Sequence, residues 1–294
     1  MSDKIADDKN RETKKNSTWL LEYANNVTSQ YGEDGIIAKV LEVIGEHDKW
    51  CVEFGSWDGK TCSNTYKLIK DDGYSAILIE ADAKRFRNLK NNFGENKKVI
   101  CLNRFVGFEK ENNLDVILKE TPIPRDFDLL SIDIDGNDYH AWDAVEEYNP
   151  KVVVIEFNPT ISKKVEFVQA KDMRVGQGSS LLAINNLAKT KGYELVAVTL
   201  TNAVFVLKKF YSLFNIDDNS VETMMTDESM MTYIFCGYDG SVFIRGYGKS
   251  PWHQITYKES KMQLLPKWAI KQYGDKNFIR RRLGKFCRRF LAEK

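Results

Sequence analysis

At 294 residues and 43% hydrophobic content, the chain is long enough for one large α/β domain with additions, and too apolar for a disordered polypeptide. No apolar run approaches the roughly 18 residues of a membrane span, and the polar, charge-mixed start has no signal-peptide pattern, so a cytoplasmic location is expected. The net charge of +1 conceals an asymmetry: ten Lys/Arg stand against Asp275 and Glu293 in 267–294, leaving about −7 for the rest.

The five cysteines, Cys51, Cys62, Cys101, Cys236 and Cys287, form no Cys-x-x-Cys pair, which argues against a zinc knuckle or a thioredoxin-like redox site. Cys51 and Cys101 sit in apolar, strand-like runs and read as packing residues. No internal repeat or low-complexity tract is visible.

A polar segment, 1–28, precedes a helix over 32–45, where Ile36, Ile37, Val40, Leu41 and Ile44 recur at helical spacing. From Trp50 a strand-then-helix rhythm begins. Strands are expected at 50–54, 75–79, 99–102, 128–134 and 152–156, with helices at 62–70, 84–93, 113–119 and 138–147 between them. Alternation of this kind predicts a mostly parallel sheet, and the unbroken apolar run 152–155 predicts a strand buried on both faces. An irregular stretch, 159–178, leads to a helix at 180–191 that Ser179 is placed to cap. Strands at 193–198 and 203–207, joined by a tight turn at Thr201-Asn202, make a closing antiparallel hairpin. Residues 210–266 lose the rhythm and are expected to form an appended subdomain or lid. In 267–294, Ile279, Leu283, Phe286 and Phe290 lie at helical spacing with arginines between them, predicting a basic amphipathic helix.

In open parallel sheets, ligands bind beyond the carboxyl ends of the strands, near the switch point of the topology. The first strand ends in Glu53-x-Gly55-x-x-x-Gly59, unlike the Gly-x-Gly-x-x-Gly of a dinucleotide fold. Glycine at 55 is expected to leave room for a ligand that a β-carbon would fill. Glu80, 25 residues beyond Gly55, closes the second strand and is placed to accept both hydroxyls of a ribose. A glycine turn after a strand is commonplace, and an acid at a strand end is often a helix cap; the ordered pair carries the signal.

The tips of the fourth and fifth strands supply Asp133, Asp135, Asp138, Glu156 and Asn158. Oxygen ligands converging there, with Asp133, Asp135, Glu156 and Asn158 as the set, suit Mg²⁺ or Mn²⁺, which lowers the pKa of a bound hydroxyl. The alternative is that Asp133 orients a cofactor, Asp135 and Asp138 cap the following helix, and no ion binds. His140 follows the acidic cluster, and an unperturbed imidazole titrates near neutrality, so it is the first candidate for a general base. Asp135 is the second, and His253 a third that requires the C-terminal part to fold over the pocket. Trp57, Tyr139 and Trp252 are candidates to stack on a sugar face; Trp142 reads as packing.

These motifs, together with Ser29-Gln30-Tyr31-Gly32-Glu33-Asp34, Ser63-Asn64-Thr65, Ile79-Glu80-Ala81-Asp82, Ile132-Asp133-Ile134-Asp135-Gly136-Asn137-Asp138 and Glu156-Phe157-Asn158, resemble those of the FkbM-type methyltransferases over roughly 29–208. The resemblance implies a class I, Rossmann-like methyltransferase fold, with seven mostly parallel strands ending in an antiparallel hairpin, helices on both faces and a domain spanning 29–209. It implies S-adenosylmethionine (SAM) as cofactor, bound by Ser29, Gln30, Glu53, Gly55, Ser56, Asp58, Gly59, Ser63, Glu80, Ala81 and Asp133. Asp133 falls near the methionine amino group or the reaction centre. The implied reaction is O-methylation of a saccharide or glycan precursor. Many members carry Glu where Asp135 stands, and the resemblance says nothing of 210–294.

Two other readings remain at this stage: a non-catalytic SAM-binding scaffold attached by its basic tail, and a methyltransferase for a non-sugar small molecule. The acidic cluster argues against the scaffold. A nucleic-acid substrate is disfavoured by the body's near-neutral charge and the lack of an Asn/Asp-Pro-Pro-Tyr/Phe motif. The basic helix admits three readings: peripheral contact with an anionic membrane at its inner face, nucleic-acid contact, or a solvated helix face, with the apolar stripe equally suited to docking on the body of the protein.

Overall fold

In a computed structural model the described residues are 16–45, 47–251 and 253–264, together with 278, 279, 282, 285, 286 and 289. Apolar runs form the strands β1 (Trp50–Phe54), β2 (Ser75–Ile79), β3 (Val99–Leu102), β4 (Leu129–Ile132), β5 (Val152–Glu156), β6 (Tyr193–Val198) and β7 (Asn202–Leu207). They make one sheet of order β3-β2-β1-β4-β5-β7-β6. The first five strands are parallel, and β7 runs antiparallel to both β5 and β6. This is the mixed Rossmann-like sheet of the class I methyltransferase fold, with the closing hairpin that the sequence predicts. Its core is the two-sided burial expected of central strands: Leu129, Leu130 and Ile132 of β4 and Val152 to Ile155 of β5 are all fully buried.

The chain runs outward from β1 through β2 to β3, then returns to place β4 against the other edge of β1. The crevice at the carboxyl ends of β1 and β4 is therefore the topological switch point.

Helices α1 (Glu33–Ile44), α2 (Tyr66–Lys70), α3 (Ala83–Phe93), α4 (Leu114–Lys119), α5 (Asp138–Asp143) and α6 (Leu181–Thr190) connect these strands. Where they are shorter than periodicity suggests, a side chain has taken the backbone. The expected helix at 62–70 starts only at Tyr66, because Ser63 Oγ and the Asn64 amide are bound to Glu53. The helix expected to reach 147 stops at Asp143, and Asp115 Oδ2 accepts the Glu146 and Glu147 amides at 2.7 and 3.1 Å. The cap of α6 is Ser180, which accepts the Ala183 amide, and not Ser179. Ser179 Oγ instead accepts the Gln169 amide at 3.3 Å and ties down the irregular stretch before the helix.

The described residues up to Asp227 and those from Glu228 onward form two compact units. The short helices α7 (Lys208–Tyr211) and α8 (Val221–Met224) belong to the first, in which Phe210, Phe214, Val221 and Met224 are buried and Trp19 Nε1 donates to Phe214 O at 2.9 Å. The second unit contains the antiparallel strands β8 (Thr232–Cys236) and β9 (Val242–Gly246). Most of the predicted basic helix lies outside the described residues, as does the chain before 16. The described positions 278, 279, 282, 285, 286 and 289 are helical and exposed. No helix among the described residues is long and apolar enough to cross a membrane.

Candidate functional site

The glycine turn after β1 is fixed by its neighbours on both sides. Gly55 and Ser56 donate their amides to Ile79 O at 3.1 and 3.2 Å, and Ser56 Oγ donates to the same oxygen at 2.8 Å. Gly55 has φ +76°, and a β-carbon there would lie 1.7 Å from Asp133 O. The carbonyl at the end of β4 therefore requires glycine at this position. Gly59, at φ +72°, lies against Leu89 and Phe93, each 2.7 Å from a built β-carbon. Asp58 turns to its own loop, accepting from Lys60 N, Thr61 N and Thr61 Oγ1.

Glu53 is buried, and its carboxylate accepts from Ser63 Oγ (2.6 Å), Asn64 N (2.8 Å) and Thr65 Oγ1 (2.8 Å). Burial raises its pKa, opposed by those three bonds. Glu80, also buried, accepts Trp57 N on one oxygen at 2.8 Å and Asp82 N on the other at 2.7 Å. The carboxylate proposed for a ribose thereby also locks the glycine turn, with Trp57 held at φ +48°. The Glu80 and Ala81 carbonyls accept from Asn103 Nδ2. Trp57 is exposed, 5.1 Å from the Arg85 guanidinium.

The segment before α1 is organised by two acids whose roles the sequence motif did not reveal. Asp34 Oδ2 accepts the amides of Val27, Thr28 and Ser29, each at 2.8 Å. Glu33 accepts Tyr31 N on one oxygen and Thr199 Oγ1 (2.6 Å) and Asn202 Nδ2 (3.2 Å) on the other, so the loop is fastened to the β6–β7 turn. Thr28 Oγ1 donates to Ser63 O at 3.1 Å, which brings Ser29 and Gln30 beside the turn after β1. Ser29 Oγ bonds Asn26 Oδ1, while Gln30 is exposed. Acids this early in a helix, preceded by polar turn residues, are the signal of an N-terminal clamp.

At the tips of β4 and β5, carboxylate oxygens of Asp133, Asp135 and Glu156 lie within 4.8 Å of one another. Asp138 holds the turn beneath them, accepting Ile134 N and Gly136 N at 2.8 Å each. Asp135 is thereby presented from a left-handed residue, φ +57°, a conformation Asp tolerates better than most side chains. Burial, followed by the charges of Asp138, Asp135 and Glu53, pushes Asp133 up to about 8. Burial, followed by the charges of Asp133, Asp138 and Asp135, raises Glu156 well above its ordinary value. Burial also pushes Asp138 up to about 6, against the pull of its amide bonds.

The other predicted residues of this region have partners of their own. Asn158 Oδ1 accepts from Thr160 N and Oγ1, and its Nδ2 donates to Gln177 O at 2.6 Å. His140 is buried, with Nε2 2.9 Å from Gln169 O and its ring edge-on to Phe108 and Tyr139. A carbonyl only accepts, so Nε2 carries the proton and offers no lone pair. Trp142 is a core residue, as expected, against Tyr193 and Phe205. His253 lies in the second unit, and Trp252 falls outside the described residues. Gln169, which periodicity did not single out, is a hub: its Oε1 accepts Gln177 N and Gly178 N, and its Nε2 donates to Val175 O. Asn137 Nδ2 donates to Val175 O as well, so the stretch 169–178 is laced to the turn after β4.

No family model matches the chain. No curated protein matches it either. Among solved structures, it is similar to an O-methyltransferase from Bacillus cereus in complex with SAH, at 14% identity over 64% of this chain and 90% of that one, with a TM-score of 0.41. A putative O-methyltransferase from Klebsiella pneumoniae shares 14% identity over 64% of this chain and 87% of its own, with a TM-score of 0.40. The N-terminal domain of EvdMO1 with SAH bound shares 11% over 59% and 79%, also with a TM-score of 0.40. The fold class stands on the strand order itself.

The raised carboxylates have a thermodynamic consequence. With Asp133 near 8 and Asp138 near 6, the folded chain binds more protons than the unfolded one between about pH 4 and those values, so stability falls as pH rises through that window. In buffer stripped of divalent cations, the denaturation midpoint is expected to be lower at about pH 8 than at about pH 5.5, and Asp133→Asn to flatten the slope. A midpoint that rises over this range and ignores the substitution contradicts the assignment.

Proposed function

We propose that the chain is a SAM-dependent O-methyltransferase acting on a hydroxyl of a saccharide or glycan precursor, with assistance from Mg²⁺ or Mn²⁺. The observation that carries this reading is the convergence of Asp133, Asp135 and Glu156 at the carboxyl ends of two adjacent parallel strands, beside a glycine turn locked by Glu80. The donor carries a sulfonium and an ammonium, and a crevice whose carboxylates are driven towards protonation by burial and by one another gains from a cation. Each Glu80 oxygen accepts one amide, which leaves a lone pair on each for a ribose hydroxyl. The sugar acceptor follows from the FkbM resemblance.

Methyl transfer needs alignment of an acceptor oxygen with the methyl carbon and removal of one proton. The acceptor oxygen bonds to carbon as the carbon–sulfur bond breaks, and the hydroxyl proton leaves to a carboxylate. Asp135 is the base in this reading, since it is the exposed member of the trio and His140 Nε2 is engaged with Gln169. Asp133, Asp135 and Glu156 fit a divalent ion by donor type and proximity; such an ion supplies a lowered pKa at the acceptor hydroxyl.

Calorimetry with S-adenosylhomocysteine tests the donor site. The wild type is expected to bind, and Glu80→Gln, which keeps the size of the side chain, to bind at least about tenfold more weakly, or about 1.4 kcal/mol. No binding by the wild type removes the reading, and equal binding by the variant removes the ribose contact. For the metal, Mg²⁺ or Mn²⁺ added after chelation is expected to raise the melting temperature of the wild type but not of Glu156→Gln; a wild type indifferent to both ions ends that part of the proposal.

A further inference from the structure

The second unit carries a surface that methyl transfer does not use. Its strands β8 and β9 form a separate two-stranded sheet, an arrangement that is marginal in water without something to pack against. Tyr233, Ile234 and Phe235 in β8 are 47%, 55% and 49% exposed, and Tyr238 at the tip of the hairpin stands wholly in solvent. Pairing of Tyr233 with Arg245 and of Phe235 with Phe243 gives one face three aromatic rings and a guanidinium. Phe235 and Phe243 stack at 5.4 Å, and Arg245 lies 5.5 Å from the Phe243 ring.

The same unit is strongly basic. Residues 228–294 hold fourteen Lys/Arg against five Asp/Glu, or +9, which leaves −8 for the remainder of the chain. Further along, Phe278, Ile279 and Phe286 expose apolar side chains among Arg282, Lys285 and Arg289, which are also exposed.

We propose that the second unit is a peripheral membrane-binding module that lays its aromatic hairpin and its basic residues against an anionic lipid surface. Tyrosine and phenylalanine on an exposed hairpin suit the boundary between headgroups and acyl chains, where one end of the ring is wet and the other apolar. Each Lys or Arg near an anionic leaflet strengthens attachment, and stable attachment needs an apolar and an electrostatic signal together. Both signals are present in one compact unit. Nucleic acid would meet the same charge and stack on the same rings, but it gains little from an exposed aliphatic group such as Ile279 beside Phe278 and Phe286, which a lipid surface buries. The charge of −8 elsewhere directs this unit, rather than the first, to an anionic surface. The inference stands apart from the proposed transfer reaction.

Sedimentation of the full chain with vesicles tests it. The chain is expected to bind vesicles of phosphatidylglycerol and phosphatidylcholine, with at least tenfold weaker binding to phosphatidylcholine alone and a decline as salt rises. Phe235→Ser combined with Tyr238→Ser, and separately Arg282→Glu with Lys285→Glu and Arg289→Glu, are each expected to weaken binding at least tenfold with the melting temperature unchanged. Tyr238→Ser alone, which removes no packed group, gives a several-fold loss and covers the case in which Phe235→Ser unfolds the hairpin. Failure to bind the anionic vesicles, equal binding to phosphatidylcholine, or full binding by the Tyr238→Ser and triple-charge variants overturns the proposal. So does tighter binding to a single-stranded oligonucleotide than to the anionic vesicles.

Discussion

Backbone amides donating to buried carboxylates hold the carboxyl end of the sheet together. Glu33, Asp34, Glu53, Glu80 and Asp138 are all buried, and each accepts at least one loop amide. An ionised carboxylate removed from water is costly, and amide donors offset that cost while fixing the loop that supplies them. The arrangement is reciprocal: without the acids the amides of 27–29, 57, 64, 134 and 136 lose their partners, and without the loops the acids are stranded. Three loops far apart in sequence, those before α1, after β1 and after β4, thus share one scaffold around the β1–β4 crevice.

Within that scaffold, burial and the surrounding acids, Asp135 and Asp138 among them, drive Asp133 and Glu156 towards the protonated form. A cluster in that state favours a cationic ligand, whether a sulfonium donor, a metal ion or both, because the ligand relieves repulsion that the fold itself sustains. The left-handed conformations of Trp57 and Asp135 stand on the two sides of the same crevice, where local strain is commonly concentrated at functional sites.

Much of this was legible in the sequence. The apolar runs at Val152 to Ile155 and Tyr193 to Val198 announced their strands, since continuous burial leaves a continuous apolar signature, and the spacing of Glu53, Gly55 and Glu80 located the crevice. Element ends were not legible where a distant side chain captured the backbone, as Asp115 does with Glu146 and Glu147. Local spacing also gave no sign of the close approach to Gly55 of a strand nearly eighty residues further along the chain. The partner of His140, the Gln169 carbonyl, lies in a stretch with no periodicity to place it. Gln169 itself was invisible for the same reason.

The central claim is that the acidic strand ends are the reaction centre for methyl transfer to oxygen. Incubation of the full chain with methyl-labelled SAM and a panel of nucleotide sugars and glycan extracts, read by mass spectrometry, tests it most directly. The account predicts a labelled methyl ether on a saccharide hydroxyl with stoichiometric S-adenosylhomocysteine, reduced at least about a hundredfold in Asp135→Asn, in line with the usual contribution of a general base. No labelled saccharide from the panel, or undiminished transfer by Asp135→Asn, contradicts it.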